Sequence, residues 1–325
     1  MTTLYTKKCR AVRRVASGTS SGGQTLRLAL NRDWLIEEHR VNIQVSQGFA
    51  VAPASVDVRD FVAAIAIESS DGRRVFLTGA QAYDFGRLTE TASPVTAVLG
   101  TTSTAAWAID IHYAMDEMTH DMITALRSNE LSTLDLVITF ATDVVNVNGF
   151  KGGTTPAATT NGYSVQVESI EYEMLNDVVK SGERGTATKL GIMSHTSDKQ
   201  EVQGTSTGSQ PDFQLVVGNL TRFITLHVYN NSGAAPVLSD AILGNVRINL
   251  NGRDWRATDA KAIRADNGST RGINYTGFYV LDFGDELTSM LDLTKVQQCK
   301  LQWDVVSGSP AWKVVLGQDY ARVGN

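Results

Sequence analysis

Cysteine, proline and histidine are scarce in this 325-residue chain, helical periodicity is scarcer still, and each shortage removes a class of protein. Two cysteines, Cys9 and Cys299, supply neither a disulfide framework nor a four-cysteine zinc site. With five histidines in the chain, no Ser-His-Asp or Cys-His spacing emerges. No apolar run approaches the roughly 20 residues of a membrane-spanning helix. The basic stretch Lys7 to Arg14 is followed by no apolar leader segment, so a soluble protein made inside a cell is expected. On that expectation the N-x-[ST] triplets at Asn219, Asn230, Asn267 and Asn274 carry no weight. Acidic residues are absent before Asp33, while Lys7, Lys8, Arg10, Arg13, Arg14, Arg27 and Arg32 precede it. The net charge is −5, so with +7 in that stretch the remainder carries −12. Such asymmetry sets the N-terminus apart from the body.

What is present is a repeated β pattern. Phe278 to Phe283 is apolar and β-rich, Gly284-Asp285 breaks it, and Cys299, Leu301, Trp303 and Val305 alternate with polar residues. Between them Leu287, Met290, Leu291 and Leu293 fall at helical spacing, which predicts a short helix from Glu286 to Leu293. An earlier segment, Ala106 to Phe140, repeats the arrangement. Trp107, Ile109 and Ile111 alternate, Met118, Met122, Ile123 and Leu126 take helical spacing, and Leu134, Leu136, Ile138 and Phe140 alternate again. Each copy is preceded by a hairpin signal, Asp71-Gly72 and Asn251-Gly252. Further upstream, Val41 to Val45 matches Phe223 to Val228, and GTSSGGQ at 18–24 matches GTSTGSQ at 204–210. A shared order of elements predicts a duplicated fold.

The expected organisation is therefore all-β: a basic arm at 1–24, one domain at 25–175, a linker at 176–212 and a second domain at 213–325. Each domain offers about eight short strands with one helix between two of them, the content of a jelly roll. Ala80 to Leu88 reads as turn-rich, Thr89 to Thr104 as an exposed loop, and Leu175 to Gln210 as linker.

Candidate chemistry is weak. His112, Asp116 and His120 have i, i+4, i+8 spacing, but His112 closes a strand pattern, so they are not expected to share a helix face. Gly149 to Thr155 is glycine-rich with Lys151 yet lacks phosphate-loop spacing, and is expected to be a surface loop. Asp282, Asp285, Glu286 and Asp292 surround the second predicted helix, as Asp116, Glu117 and Asp121 surround the first. Acidic residues at helix starts serve as caps, and their recurrence in both copies favours a structural role. No catalytic residue, cofactor or metal is predicted.

Thr3 to Ala16 can form one amphipathic helix. Leu4, Tyr5, Cys9, Ala11, Val12, Val15 and Ala16 share one half of the wheel, and Lys7, Arg10, Arg13 and Arg14 the other, with Lys8 the exception. Anionic lipid, nucleic acid and plain packing on the protein itself all fit such a helix.

Two tandem jelly-roll patterns resemble the double jelly-roll major capsid proteins of tailless icosahedral, membrane-containing bacteriophages, the corticoviruses, tectiviruses and finnlakeviruses. The resemblance is carried by Asp71 to Gly79 running into Tyr83-Asp84-Phe85, and by Tyr279 to Phe283 followed by Leu287 to Leu293 and Leu301-Gln302-Trp303. It extends over nearly all the chain from Gln24 onward. It implies a structural, non-enzymatic protein made in the host cytoplasm and located in the virion. The copies would form pseudo-hexameric homotrimers that tile an icosahedral shell alongside penton and minor capsid proteins. It also implies an inward arm, with Lys7, Lys8, Arg10, Arg13 and Arg14 toward an internal lipid membrane in preference to nucleic acid. The competing readings are a phage spike or receptor-binding protein and a carbohydrate-binding β-sandwich. The latter needs a loop-borne aromatic platform or paired carboxylates, whereas the tryptophans here fall mostly within strand patterns.

Overall fold

The computed structural model describes residues 10–33, 35–89, 95–113, 125–144, 148–156, 162–172, 193–233, 236–284, 290–306 and 311–323. The chain divides into two compact units, Met1–Thr196 with Val323–Asn325, and Ser197–Arg322.

In the first unit the principal strands are β1 (Arg10–Ser21), β2 (Thr25–Ala29), β3 (Leu35–Val51), β4 (Val62–Ser69), β5 (Gly72–Leu77), β6 (Thr102–His112), β7 (Leu134–Phe140) and β8 (Gly162–Tyr172). Helix α1 (Gly79–Thr89) lies between β5 and β6. One sheet runs β1–β8–β3–β6, the other β5–β4–β7–β2. Strands alternate as their sequences demand: in β7, LDLVITF, every second residue is buried. An aromatic cluster fills the core, with Phe61 stacked on Trp107 at 5.1 Å and Phe140 on Tyr163 at 4.1 Å.

The second unit repeats this. Its strands are β9 (Met193–Gly204, in this unit from Ser197), β10 (Phe213–Leu215), β11 (Leu220–Asn230), β12 (Leu243–Leu250), β13 (Arg253–Asp259), β14 (Phe278–Asp282), β15 (Cys299–Val305) and β16 (Trp312–Val323). Helix α2 (Ala260–Arg271) again lies between the fifth and sixth strands. The sheets run β9–β16–β11–β14 and β10–β15–β12–β13, the same order as in the first unit. Trp303 anchors this core, 2% exposed, stacked on Phe213 at 5.8 Å and edge-on to Trp312 at 5.0 Å. Both units are eight-stranded jelly rolls.

The matched signals fall at matched places. The turns between fourth and fifth strands are Ser70-Asp71, one residue before the expected Asp71-Gly72 because Gly72 already pairs with Ser69, and Asn251-Gly252, both at positive φ (49° and 85°), as a two-residue hairpin with its right-handed twist requires. The two Gly/Ser/Thr segments run from the end of the first strand toward the second strand in each unit.

Four expectations change. The stretch Arg10 to Ala16 is not helical: it is the first part of β1, paired antiparallel with β8 from Arg10↔Tyr172 to Ser21↔Gly162. Val12, Val15 and Ala16 are compatible with either period, and the bare edge of β8 selects the strand. Thr3 to Cys9 lie outside the described residues. The interval 176–212 is not all linker, because β9 and a short strand at Gly208–Ser209 occupy its second half. Ala80 to Leu88 is helix α1, not turn. Finally, each unit has a helix where none was expected, between its fifth and sixth strands. The predicted helices fall largely at 114–124 and 285–289, outside the described residues, and their C-terminal ends at Leu126–Arg127 and Leu291–Asp292 are short strands.

Candidate assembly surfaces

Antiparallel alternation gives each unit two distinct ends. At one end lie the connections β1–β2, β3–β4, β5–β6 and β7–β8, tied together by backbone bonds such as Gly23 N to Ala141 O (2.9 Å), Phe49 N to Thr101 O (2.6 Å) and Asp57 N to Gly149 O (2.8 Å). At the other lie β2–β3, β4–β5 and β6–β7, tied by Leu30 N to Leu134 O (2.9 Å) and Ser70 N to Thr133 O (3.1 Å). Strand β1 begins at this second end, opposite Tyr172, so residues 1–9 join the first unit there.

Of the eight large apolar residues exposed among the described residues, six lie in connections of the first kind and Val51 closes β3 at the same end of its unit. In the first unit these are Val51, Val95, Val98, Leu99 and Val144; in the second, Val237 and Val306. Val98 belongs to a short strand, Thr96–Val98, added at the outer side of β6 and exposed along its length. The eighth is Trp255, which is 51% exposed in β13.

The basic residues singled out in the sequence part company. Lys7 and Lys8 lie outside the described residues. Arg10 and Arg13 take positions in β1 opposite Tyr172 and Ser169. Arg14 is exposed and stands opposite Glu168, which stands opposite Arg40, which stands opposite Asp110. A row of alternating charge thus crosses four strands. Its last two members are bonded, Arg40 Nε donating to Asp110 Oδ1 at 2.7 Å, with Glu38 3.5 Å from the same guanidinium. Opposite charges facing across strands contribute about 0.2–1 kcal/mol per pair, enough to help fix register.

The other candidates are explained by structure. His112 lies 3.6 Å from Glu38, while Asp116 and His120 are outside the described residues. Among the described residues no group of three or more His, Cys, Asp or Glu gathers as metal ligands would. The glycine-rich loop is built into its unit: Phe150–Lys151 pairs with Ser55–Val56, and Lys151 Nζ lies 2.6 Å from Asp60. Asp282 pairs with Arg271, and Asp292 accepts from Thr294, whose hydroxyl and N–H hold its carboxyl below the usual range. Asp285, Glu286, Glu117 and Asp121 are outside the described residues. Burial lifts the Cys299 thiol to about 11, which keeps it protonated and unreactive. Trp255 was legible only as one more strand aromatic; what reveals it is a register irregularity that pairing alone displays.

No protein-family model matches the chain, and no curated protein matches it. Solved structures do. The STIV MCP crystal structure superposes with a TM-score of 0.70 at 12% identity, covering 96% of this chain and 97% of that one. The PBCV-1 virus capsid gives 0.65 at 12% identity, covering 96% and 94%. The major capsid protein P2 from Bacteriophage PM2 gives 0.62 at 11% identity, covering 98% of each chain. The likeness spans both units and shows the fold to be the double jelly roll.

Proposed function

We propose that this chain is the major capsid protein of a tailless icosahedral bacteriophage with an internal membrane. The observation that carries the reading is a duplicated jelly roll, identical in strand order, that matches major capsid proteins along almost the whole chain. Two alike units per chain give a shell-builder a simple geometry. Three copies about one axis present six similar units, a near-hexagonal block that tiles closely while obeying threefold closure. Such a protein works by burying surface between copies, so it needs no catalytic centre. Penton and minor capsid proteins would complete the shell, with synthesis in the host cytoplasm.

The end of the first unit from which residues 1–9 depart would face inward. Lys7 and Lys8, with Arg10, Arg13 and Arg14 at the start of β1, then form the interior-facing basic group. Each cation near an anionic bilayer adds about 1 kcal/mol, so the group together holds where one residue does not. The contact weakens with salt.

Light scattering on the purified chain tests the reading. The expected mass is three times 35.1 kDa, and a monomer at micromolar concentration overturns it. Flotation with anionic liposomes at low and high salt tests the arm. The full chain is expected to float at low salt only, and a chain lacking residues 1–9 less well; equal flotation removes the membrane role.

A further inference from the structure

The edge of a sheet is a bare row of N–H and C=O groups, and several edges in this chain are guarded. Strand β1 carries Arg10, Arg13 and Arg14. Strand β2 carries Arg27, bonded to Glu68 at 2.6 Å and to Asp135 at 2.8 Å. Strand β13 carries Arg253, Asp254 and Arg256, and its register breaks between Ile248↔Arg256 and Asn249↔Asp254. Strand β14 is closed by the Asn267 side chain, which bonds Val280 N and O at 2.8 Å. The short strand Thr96–Val98 has none of these devices. It is the last strand of its sheet among the described residues, paired on one side with β6 from Thr96↔Ala106 to Val98↔Thr104 without a bulge. Its three residues are all exposed, and so are Val95 and Leu99 on either side. The whole run 91–109 holds no charged residue.

We infer that Thr96–Val98 is a strand-addition site at which two copies of this chain pair through the same strand, antiparallel about a twofold axis; this rests on the reading that the chain builds a shell. The outer side of such a strand takes another strand because alternate residues leave their N–H and C=O unused there. The occupant is the same strand of a second copy because the run matches itself. Paired about Ala97, Val95 stands opposite Leu99, Thr96 opposite Val98, and Ala97 opposite its own counterpart. Each pair joins apolar or β-branched side chains, the kind that stabilises neighbouring strands, and none brings like charges together. Strand β2 paired in the same way about its central residue would set Arg27 against Arg27. Shell geometry calls for a contact of this symmetry. A trimer closed about a threefold axis is complete in itself, so trimers need a second contact to join, and a patch that matches itself supplies a twofold one. A pair of strands this short is a weak contact, but each trimer makes three, and linked contacts hold far better than one.

The test is sedimentation and light scattering of full-length chains across a concentration series, with thermal melting as the folding check. The wild-type chain is expected to pass from trimers to larger species as concentration rises. Ala97→Lys places like charges opposite each other at the axis, and Ala97→Glu does the same with the other sign. Each alone is expected to weaken association between trimers about tenfold or more. Mixed in equal amounts, the two variants set opposite charges face to face, and association is expected to return to within about threefold of wild type. Val98→Lys charges a side chain that is 61% exposed; it should also weaken association, and it keeps the test sound if the Ala97 variants melt early. Wild-type association by the single variants overturns the inference. Weakened association that the mixture does not restore also overturns it, because the strand then meets some other surface. Wild-type trimers that never associate further overturn the inference and leave the trimer intact, whereas a monomeric wild-type chain overturns the capsid reading itself.

Discussion

His39, on β3 and wholly buried, meets the Tyr113 hydroxyl through Nδ1 at 2.8 Å, while Nε2 has no partner among the described residues. Burial disfavours the imidazolium and lowers its pKa from 6.5 to about 3. The sign follows directly. As pH falls below 6.5 the unfolded chain takes up a proton that the folded chain refuses until about 3, so native stability declines across that window. The decline attributable to this residue over that whole window is on the order of 5 kcal/mol. His39→Gln can keep the bond to Tyr113 without titrating. Urea denaturation at pH 7 and pH 4 should therefore show a smaller acid loss in the variant than in the wild type; parallel losses would assign the acid sensitivity elsewhere.

Elements depend on how their edges are closed. Asn267 on α2 is 2% exposed and treats β14 as a neighbouring strand would: Nδ2 donates to Val280 O and Oδ1 accepts from Val280 N, both at 2.8 Å. Asn267→Ala strips both partners from a buried peptide group, with a loss of about 1–3 kcal/mol for each group left unpaired. Asn267→Asp keeps the acceptor and should fall between, with faster amide exchange at Val280 in the alanine variant alone. Strand β1 closes an edge in another way. A chain beginning at Ser17 loses Arg10 to Ala16 and bares β8 from Val167 to Tyr172, so its melting temperature should drop by several degrees and it should aggregate. Removal of residues 1–9 alone spares the strand and should leave melting unchanged. Both helices escaped sequence reading for opposite reasons. Helix α1 is buried nearly all round, so Tyr83 and Phe85 show no stripe. Helix α2 buries only Ala260, Ile263 and Asn267, a stripe too narrow to register, although the Asp259 cap and Gly272 at φ 64° mark its ends.

At the scale of the whole molecule the duplication was legible because it recurs in turns and strand alternation, which are local. Ile138 and Trp303 fall at equivalent positions of the two units, and the Asx-Gly signals mark the same hairpin in each, although the turn itself is Ser70-Asp71 in the first and Asn251-Gly252 in the second. What joins first strand to last is not local, so nothing in the sequence of Arg10 to Ala16 marks its pairing with β8, from Arg10↔Tyr172 onward. The exposed Trp255 likewise depends on a two-strand register that alternation does not encode. The same long pairing has a kinetic side. Strand β1 emerges early from the ribosome and must wait for β8 before it has a partner, and β11 waits likewise for β16, which it meets from Leu220↔Ala321 to Asn230↔Trp312. Loops of that span close slowly and expose unpaired edges meanwhile. The eight strands of the first roll, all before Met193, can pair during translation. The second cannot finish until β16 has been made, so a nascent chain carries one completed roll and one open one, and competence to join a neighbour arrives only with the last strand of the second.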